Sequence, residues 1–301
     1  MKNISVLLFL LITLALNAQN NKTSGLNARQ FHKYWKVESE SPDYKVTFLG
    51  DTVEILSPKG LTLWRKEKMS GKVTIEYDAC VVVEAEGDRL SDLNCFWMAS
   101  DPQYPDNIWK REKWRSGIFL NCYSLQLYYM GYGGNHNSTT RFRRYDGNEV
   151  AITNAKARPA ILKEYTDADH LLEANKWYHI KITNENNRVS YYINGVRLVD
   201  FRDADPLTEG WFGFRTTLSR TRIANFHYEC SPQEISAIPL HWIGDTPQQD
   251  RTVSWGVTFS EGEFYPENIL QLITDRGYTL SIDTWLLAYW PDCSVKLNGI
   301  A

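Results

Sequence analysis

Cysteine is scarce, with five in 301 residues, at positions 80, 95, 122, 230 and 293. Their odd number and wide spacing, with no C-x-x-C pair and no Cys/His grouping, exclude a disulfide-stapled mini-protein and the usual zinc sites. Cys80, Cys95 and Cys122 stand in apolar or aromatic runs, where a free thiol behaves as a small hydrophobe. Basic charge is in deficit: 33 Lys plus Arg face 36 Asp plus Glu, a formal net charge of -3. Without a cationic surplus to neutralise a phosphate backbone, nucleic acid is not an expected partner. Glycine (18) and proline (11) are too few for a collagen-like or low-complexity chain. Beyond the N-terminus no apolar run approaches the roughly 20 residues that a membrane span needs. Also missing are a G-x-S-x-G elbow, an H-E-x-x-H pair and a phosphate-binding P-loop, which removes esterase, zinc-protease and nucleotidase readings.

What the chain has in quantity is aromatic rings: 11 Trp, 17 Tyr and 12 Phe, 13% of the residues. Rings at this density fill sheet cores, and they also line surfaces on which the apolar face of a sugar stacks. The N-terminus reads as an address. Lys2 precedes residues 6–16, apolar except for Thr13, and Ala18 supplies the small residue before a polar run. That pattern predicts a cleavable signal peptide over residues 1–18, and hence a secreted or periplasmic protein.

After a linker at residues 19–25, strand signals dominate. Short β-branched and aromatic runs at 46–49, 53–56, 61–64, 72–83, 93–98, 117–120, 125–130 and 139–144 are separated by turn residues. Others follow at 177–183, 189–193, 197–201, 211–215 and 223–228, with Asn194-Gly195 as a hairpin turn. Helical periodicity is nearly absent. The expected fold is all-β, two antiparallel sheets packed as a sandwich. The run from Trp177 through Tyr191-Tyr192-Ile193-Asn194-Gly195 and Gly210-Trp211-Phe212-Gly213-Phe214-Arg215 to Phe226 resembles the closing strands of the concanavalin A/laminin G-like jelly rolls. The resemblance implies a jelly-roll domain over residues 26–232. It does not imply a function, because that superfamily holds lectins, hydrolases and polysaccharide lyases.

The character changes at Ser231-Pro232. Val253-Ser254-Trp255-Gly256-Val257 and Trp285-Leu286-Leu287-Ala288-Tyr289-Trp290-Pro291-Asp292 resemble the opening β domain of exo-acting rhamnogalacturonan-lyase-type enzymes. Residues 233–301 are therefore expected to be an incomplete domain of that kind, its pattern breaking off at Ala301. Cys293 stands where a glycine is expected, so the turn after Asp292 is expected to be altered. No activity is assigned to this segment.

Two polar constellations carry the candidate chemistry. In residues 128–145, Gly131, Gly133 and Gly134 permit close approach or positive φ, and Asn135, His136 and Asn137 form a loop tip. Alternation then puts Arg141 and Arg143 on one strand face and Phe142 and Arg144 on the other. Guanidinium groups on an exposed face suit a carboxylate, which they grip bidentately. In residues 87–102, Asp92, Asn94 and Phe96 share one face, and Leu93, Cys95 and Trp97 the other. Asparagine is disfavoured in mid-strand, so Asn94 is expected to face a polar partner, either a ligand or another core group. Together these stretches resemble a bacterial and fungal jelly-roll family of unknown function that occurs among pectin- and glycan-degrading proteins. Arg215 is a further candidate for the same face. Residues 109–115, with Trp109, Trp114 and Arg115, read as a loop and potential lid. His170 and His179 read as structural, and Glu76 with Glu84 as a weak carboxylate pair.

Two functions are consistent with these residues. In a β-elimination on a uronate-containing polysaccharide, such as rhamnogalacturonan or arabinogalactan, Arg141 or Arg143, helped by Asn94 or Asn135, would neutralise the carboxylate and the developing enolate. His136 or a tyrosine (Tyr132, Tyr145 or Tyr128) would act as base and a second tyrosine as acid. Asn94, Asp92, Tyr128, Asn135, Arg141, Arg215 and Trp97 would bind substrate. In a carbohydrate-binding module the same groups would hold a polysaccharide or oligosaccharide without turnover. Neither scheme needs a cofactor or catalytic metal, though a jelly roll admits a structural calcium ion.

Overall fold

The computed structural model describes residues 24–231 and, further along, 254–259, 264, 266, 270, 272–273, 279–291 and 293–300. The expected signal peptide, most of the linker at 19–25 and the boundary at 232–233 lie outside the described residues. In chain order the strands are β1 (Trp35–Ser39), β2 (Lys45–Leu49), β3 (Thr52–Arg65), β4 (Met69–Ser70), β5 (Lys72–Val81), β6 (Asn94–Ser100) and β7 (Gln126–Gly133). They continue with β8 (Thr139–Asp146), β9 (Lys163–Tyr165), β10 (Tyr178–Glu185), β11 (Arg188–Ile193), β12 (Val196–Arg202) and β13 (Glu209–Ser231).

Two of these strands are longer than the turn signals suggest. Pro58-Lys59-Gly60 does not end β3, and residues 216–222 do not end β13. Both places are where a strand passes from one sheet to the other. The N-terminal half of β3 pairs with β2, and its C-terminal half with β1. β13 pairs with β6 through Trp211–Arg215 and with β5 from Thr221 onward, and lies beside β3 from Gly213 to Ile223. Its register slips between Thr217 and Ser219, where exposed Leu218 takes a left-handed φ of 49°. A bulge of this kind bends a strand and increases its twist. The front sheet thus runs β1-β3-β13-β6-β7-β8-β9, and the back sheet β2-β3-β13-β5-β10-β11-β12.

The intersheet core is aromatic: Trp35, Tyr77, Trp97, Tyr128, Phe142 and Phe214 are among its buried members. A second cluster, including Trp64, Phe96, Tyr129, Tyr145 and Trp211, lies on the outer face of the front sheet. It is roofed by the 3-10 turn Ile108–Arg111, helix α1 (Glu112–Arg115), the 3-10 turn Leu120–Ser124 and helix α2 (Val150–Thr153). Residues 117–120, expected as a strand, belong to this roof. The stretch 109–115 is not a free lid either: Arg115 is fully buried, with Nη2 2.9 Å from Glu38 Oε2 and donating to the Ile108 carbonyl at 2.7 Å. Arg111 grips Asp101 and Glu149. Cys80, Cys95 and Cys122 are buried as free thiols.

In the C-terminal segment β14 (Trp255–Thr258), β15 (Leu272–Ile273), β16 (Thr279–Leu280), β17 (Thr284–Tyr289) and β18 (Val295–Ile300) form a three-stranded sheet, β14-β18-β17, and a β15-β16 pair. Val257, Phe259, Val295 and Ile300 make its small core. The turn before β18 keeps a glycine-like backbone: Cys293 has a φ of 68°, and its N–H donates to the Trp290 carbonyl.

Candidate functional site

The open end of the front sheet's outer face holds a cleft of about 420 Å³, within the size range of small-ligand sites. Its position follows from register. Tyr129 on β7 pairs with Arg143 on β8, and Gly131 with Arg141. Phe96 on β6 pairs with Tyr129, and Asn94 with Arg215 on β13. Cross-strand neighbours on one face lie side by side, so Arg215, Asn94, Gly131 and Arg141 form one row and Phe96, Tyr129 and Arg143 the next. Gly131 leaves a gap in the first row. A Cβ there would stand 2.5 Å from the Tyr129 hydroxyl, so the phenol lies over the glycine.

The floor is a ring cluster. Phe119 and Tyr129 have centroids 5.7 Å apart, Tyr129 and Tyr145 5.7 Å, and Tyr123 and Tyr145 5.1 Å. Arginines surround it. Arg215 lies over Phe119, 5.6 Å from the ring centre, and donates to the Gly117 carbonyl at 2.6 Å. Arg158 lies over Tyr123 at 5.7 Å. Arg143 donates to the Pro159 carbonyl. Although Arg215 acts electrostatically on the buried Glu38, none of these three forms an ion pair with a carboxylate among the described residues. Two others do: Arg89 pairs with Asp92 at 2.9 Å, and Arg141 with Glu164 at 2.5 Å. Asp92 also accepts from Asn94 Nδ2 at 3.1 Å, which fixes the amide and leaves Asn94 Oδ1 buried without a partner.

His136 stands at the rim. Asn135, His136 and Asn137 all have left-handed φ, 51°, 59° and 58°, a conformation uncommon outside glycine and asparagine. The turn is pinned at both ends. Asn137 exchanges two 2.8 Å hydrogen bonds with the Leu172 backbone, and Asn135 Nδ2 donates to Thr139 Oγ1 at 3.2 Å. The exposed imidazole itself makes no hydrogen bond or ion pair among the described residues. Burial, reinforced by the Asp92 charge, raises the Tyr129 phenol above its usual range despite Arg215 and Arg143. Burial and the neighbouring phenols do the same to Tyr145. Both hydroxyls stay protonated at neutral pH, as donors rather than bases.

The cleft therefore brings together Asp92, Asn94, Asn135, His136, Arg141, Arg143, Tyr145 and Arg215 of the expected residues. It excludes three. Tyr128, Tyr132 and Trp97 have the opposite strand parity and face the intersheet core. There Tyr128 donates to Asp203 at 2.6 Å, Tyr132 donates to the Leu171 carbonyl, and Trp97 is fully buried against Phe142. Tyr145 contributes its ring, but its hydroxyl is enclosed. Arg89, Arg158, Tyr123 and Tyr129 also line the cleft; alternation alone does not single out Tyr129 from its neighbouring tyrosines. Glu76 and Glu84 lie on the back sheet side in ion pairs with Lys181 and with Arg220. His170 pairs with Asp167 and stacks on Tyr165, and His179 pairs with Asp78. Among the described residues no group of three or more His, Cys, Asp or Glu side chains is placed to hold a metal ion.

These features define a galectin-like jelly roll. The fold is similar to a crystal structure of a protein of unknown function with galectin-like fold from Bacillus subtilis, at 15% identity and a TM-score of 0.54, covering 70% of this chain and 95% of that one. Residues 55–226 match the family described as domain of unknown function (DUF6250), and the chain belongs to that family. Residues 236–301 match the PcRGLX-like N-terminal RIFT barrel domain. Looser structural similarity extends to carbohydrate binding module CBM66 from Bacillus subtilis (17% identity, TM-score 0.43, 65% of this chain and 94% of that one). It extends also to the Ca2+/Man3GlcNAc-bound exoplasmic/lumenal domain of VIP36 (10%, 0.48, 70% and 90%). No curated protein matches the chain. No helix among the described residues is long and apolar enough to cross a membrane.

Proposed function

We propose that this is an exported, secreted or periplasmic, glycan-active protein whose front cleft binds an acidic, uronate-bearing saccharide. The observation that carries the reading is the set of cleft arginines, Arg143, Arg158 and Arg215, that form no ion pair with a carboxylate among the described residues, around an aromatic floor. Internal acids neutralise Arg89 and Arg141, so the remaining guanidiniums supply the charge complement of a bound carboxylate. Phe119 and Tyr123 offer the stacking surface for a ring. The PcRGLX-like segment, similar to a domain of rhamnogalacturonan-lyase-type enzymes, supports a glycan context. The test is calorimetric titration with uronate oligosaccharides from rhamnogalacturonan or arabinogalactan, alongside their carboxyl-reduced counterparts. The acidic ligand binds at least about tenfold more tightly, and Arg143→Ala removes most of that preference. Equal binding of the two ligands refutes the reading.

A second reading, β-elimination, is favoured by His136, an unpaired imidazole held at the rim. It would take the C5 proton while an arginine holds the carboxylate. The C4–O bond then breaks, its oxygen is protonated, and a C4=C5 double bond remains. Ultraviolet absorbance of unsaturated uronate, produced by the native protein and absent in His136→Ala, selects this reading; binding without absorbance selects the binding module.

A further inference from the structure

The cleft contains a hydroxyl to which neither reading has given a task. We propose that the Tyr129 phenol is the central hydrogen-bond donor to the bound saccharide, and that Gly131 is the positioning residue that gives it room. The proposal rests on the cleft being a saccharide site. It takes that reading further, from charge to the recognition of one ligand oxygen.

Three observations converge on Tyr129. Its place in the ladder is central, between Phe96 on β6 and Arg143 on β8, at the floor of the cleft. Its ring is locked by neighbours on three sides: Phe96 at 5.5 Å, Phe119 at 5.7 Å and Tyr145 at 5.7 Å between centroids. A ring held this way presents its hydroxyl with little rotamer entropy left to lose on binding. Finally, the hydroxyl has no hydrogen-bond partner among the described residues, unlike Tyr128 and Tyr132, whose hydroxyls are satisfied by Asp203 and by the Leu171 carbonyl. Unlike the hydroxyls of Tyr145 and Tyr191, which are enclosed without a partner, that of Tyr129 is open to the cleft and can meet a ligand oxygen.

Gly131 explains how the hydroxyl fits. An added Cβ would meet the Tyr129 hydroxyl at 2.5 Å and Cζ at 2.8 Å, so any side chain at 131 displaces the phenol from its position over the strand. The glycine has no positive φ to justify it. Its role is to leave space. Burial keeps the phenol protonated, which suits a donor to a sugar hydroxyl, a ring oxygen or a carboxylate.

The test uses the full chain and four proteins: native, Tyr129→Phe, Gly131→Ala and the double variant. Each is titrated with the uronate oligosaccharide and with its carboxyl-reduced form, and melting is followed in parallel. Tyr129→Phe is expected to melt at or above the native temperature, since it breaks no internal hydrogen bond, while affinity falls about tenfold. Gly131→Ala weakens binding to a similar degree. The double variant loses no more than the worse single one, because both changes remove the same hydrogen bond. Unchanged affinity in Tyr129→Phe overturns the proposal, as does full additivity in the double variant. If the native protein binds acidic and reduced ligands alike, the charge reading falls, yet the Tyr129→Phe effect on either ligand still decides this one. A native protein that binds neither ligand overturns both.

Discussion

Replacing Arg115 by Met tests the account of how the cleft roof is held. The Arg115 side chain is fully buried and that of Glu38 is 5% exposed, with 2.9 Å between Nη2 and Oε2. Burial raises the Glu38 carboxyl above its ordinary range, even against the attraction and hydrogen bond of Arg115 and the Gly117 N–H. In Arg115→Met the carboxylate loses its only strong partner, which costs about 3–5 kcal/mol in comparable buried pairs. Two terms temper this. Arg115 Nε and Nη1 make no hydrogen bond, although Nη1 lies 3.8 Å from the buried Asp101 carboxylate, so removing them relieves part of an existing cost. The stranded Glu38 can also take up a proton. We therefore expect a loss of about 3 kcal/mol near neutral pH, a large share of a typical domain's stability. A group whose folded pKa is raised contributes stability at low pH that disappears as pH rises through the folded value, so the defect shrinks in acid. Urea unfolding at about pH 7 and about pH 5 measures both effects. The double variant Glu38→Leu/Arg115→Met, which removes charge and countercharge together, should lie within about 1 kcal/mol of the native protein or above it. A single variant that loses less than about 1 kcal/mol, or a double variant as unstable as the single, refutes the reasoning.

Two further outcomes follow from the packing. Burial pushes the Glu54 carboxyl up, but hydrogen bonds from Arg220 and Arg222 outweigh it and hold the group below its ordinary 4.5. Its contribution is therefore present above pH 4.5 and lost as pH falls through the folded value, and Glu54→Gln should flatten that acid limb in urea titrations on either side of pH 4.5. Trp97→Ala should cost about 3–5 kcal/mol of stability while the folded fraction binds uronate oligosaccharide with unchanged affinity. A selective loss of affinity would return Trp97 to the site.

The legible parts of the site were those encoded by local period. Alternation along 92–97 and 141–144 assigns faces because a strand repeats every two residues, and in the structure Phe96 lies in the outer cluster while Cys95 and Trp97 lie in the core. The same rule could not choose between Tyr128, Tyr129 and Tyr132, since β7 carries tyrosine at both parities. Its pairing with β6 decides, and pairing is a long-range property. Arg89 and Arg158 were hidden for a related reason: they reach the cleft from connections whose course no periodicity describes. Likewise, Pro58-Lys59-Gly60 carries the composition of a turn and residues 216–222 lack an apolar alternation, yet tertiary packing makes both into bends within continuous strands. The jelly-roll class survives such errors because it depends on the number and alternation of strands, not on where each one stops.

The sharing of β3 and β13 between both layers has a mechanical consequence. Neither layer can peel away while the other stays intact, because its central hydrogen-bond ladders are continuous with those of its partner across the bends. Amides in β5 and β6, on opposite layers, should then exchange with solvent only through the same whole-domain opening. A saccharide seated on the front would consequently slow exchange at the rear, although nothing on that side touches it.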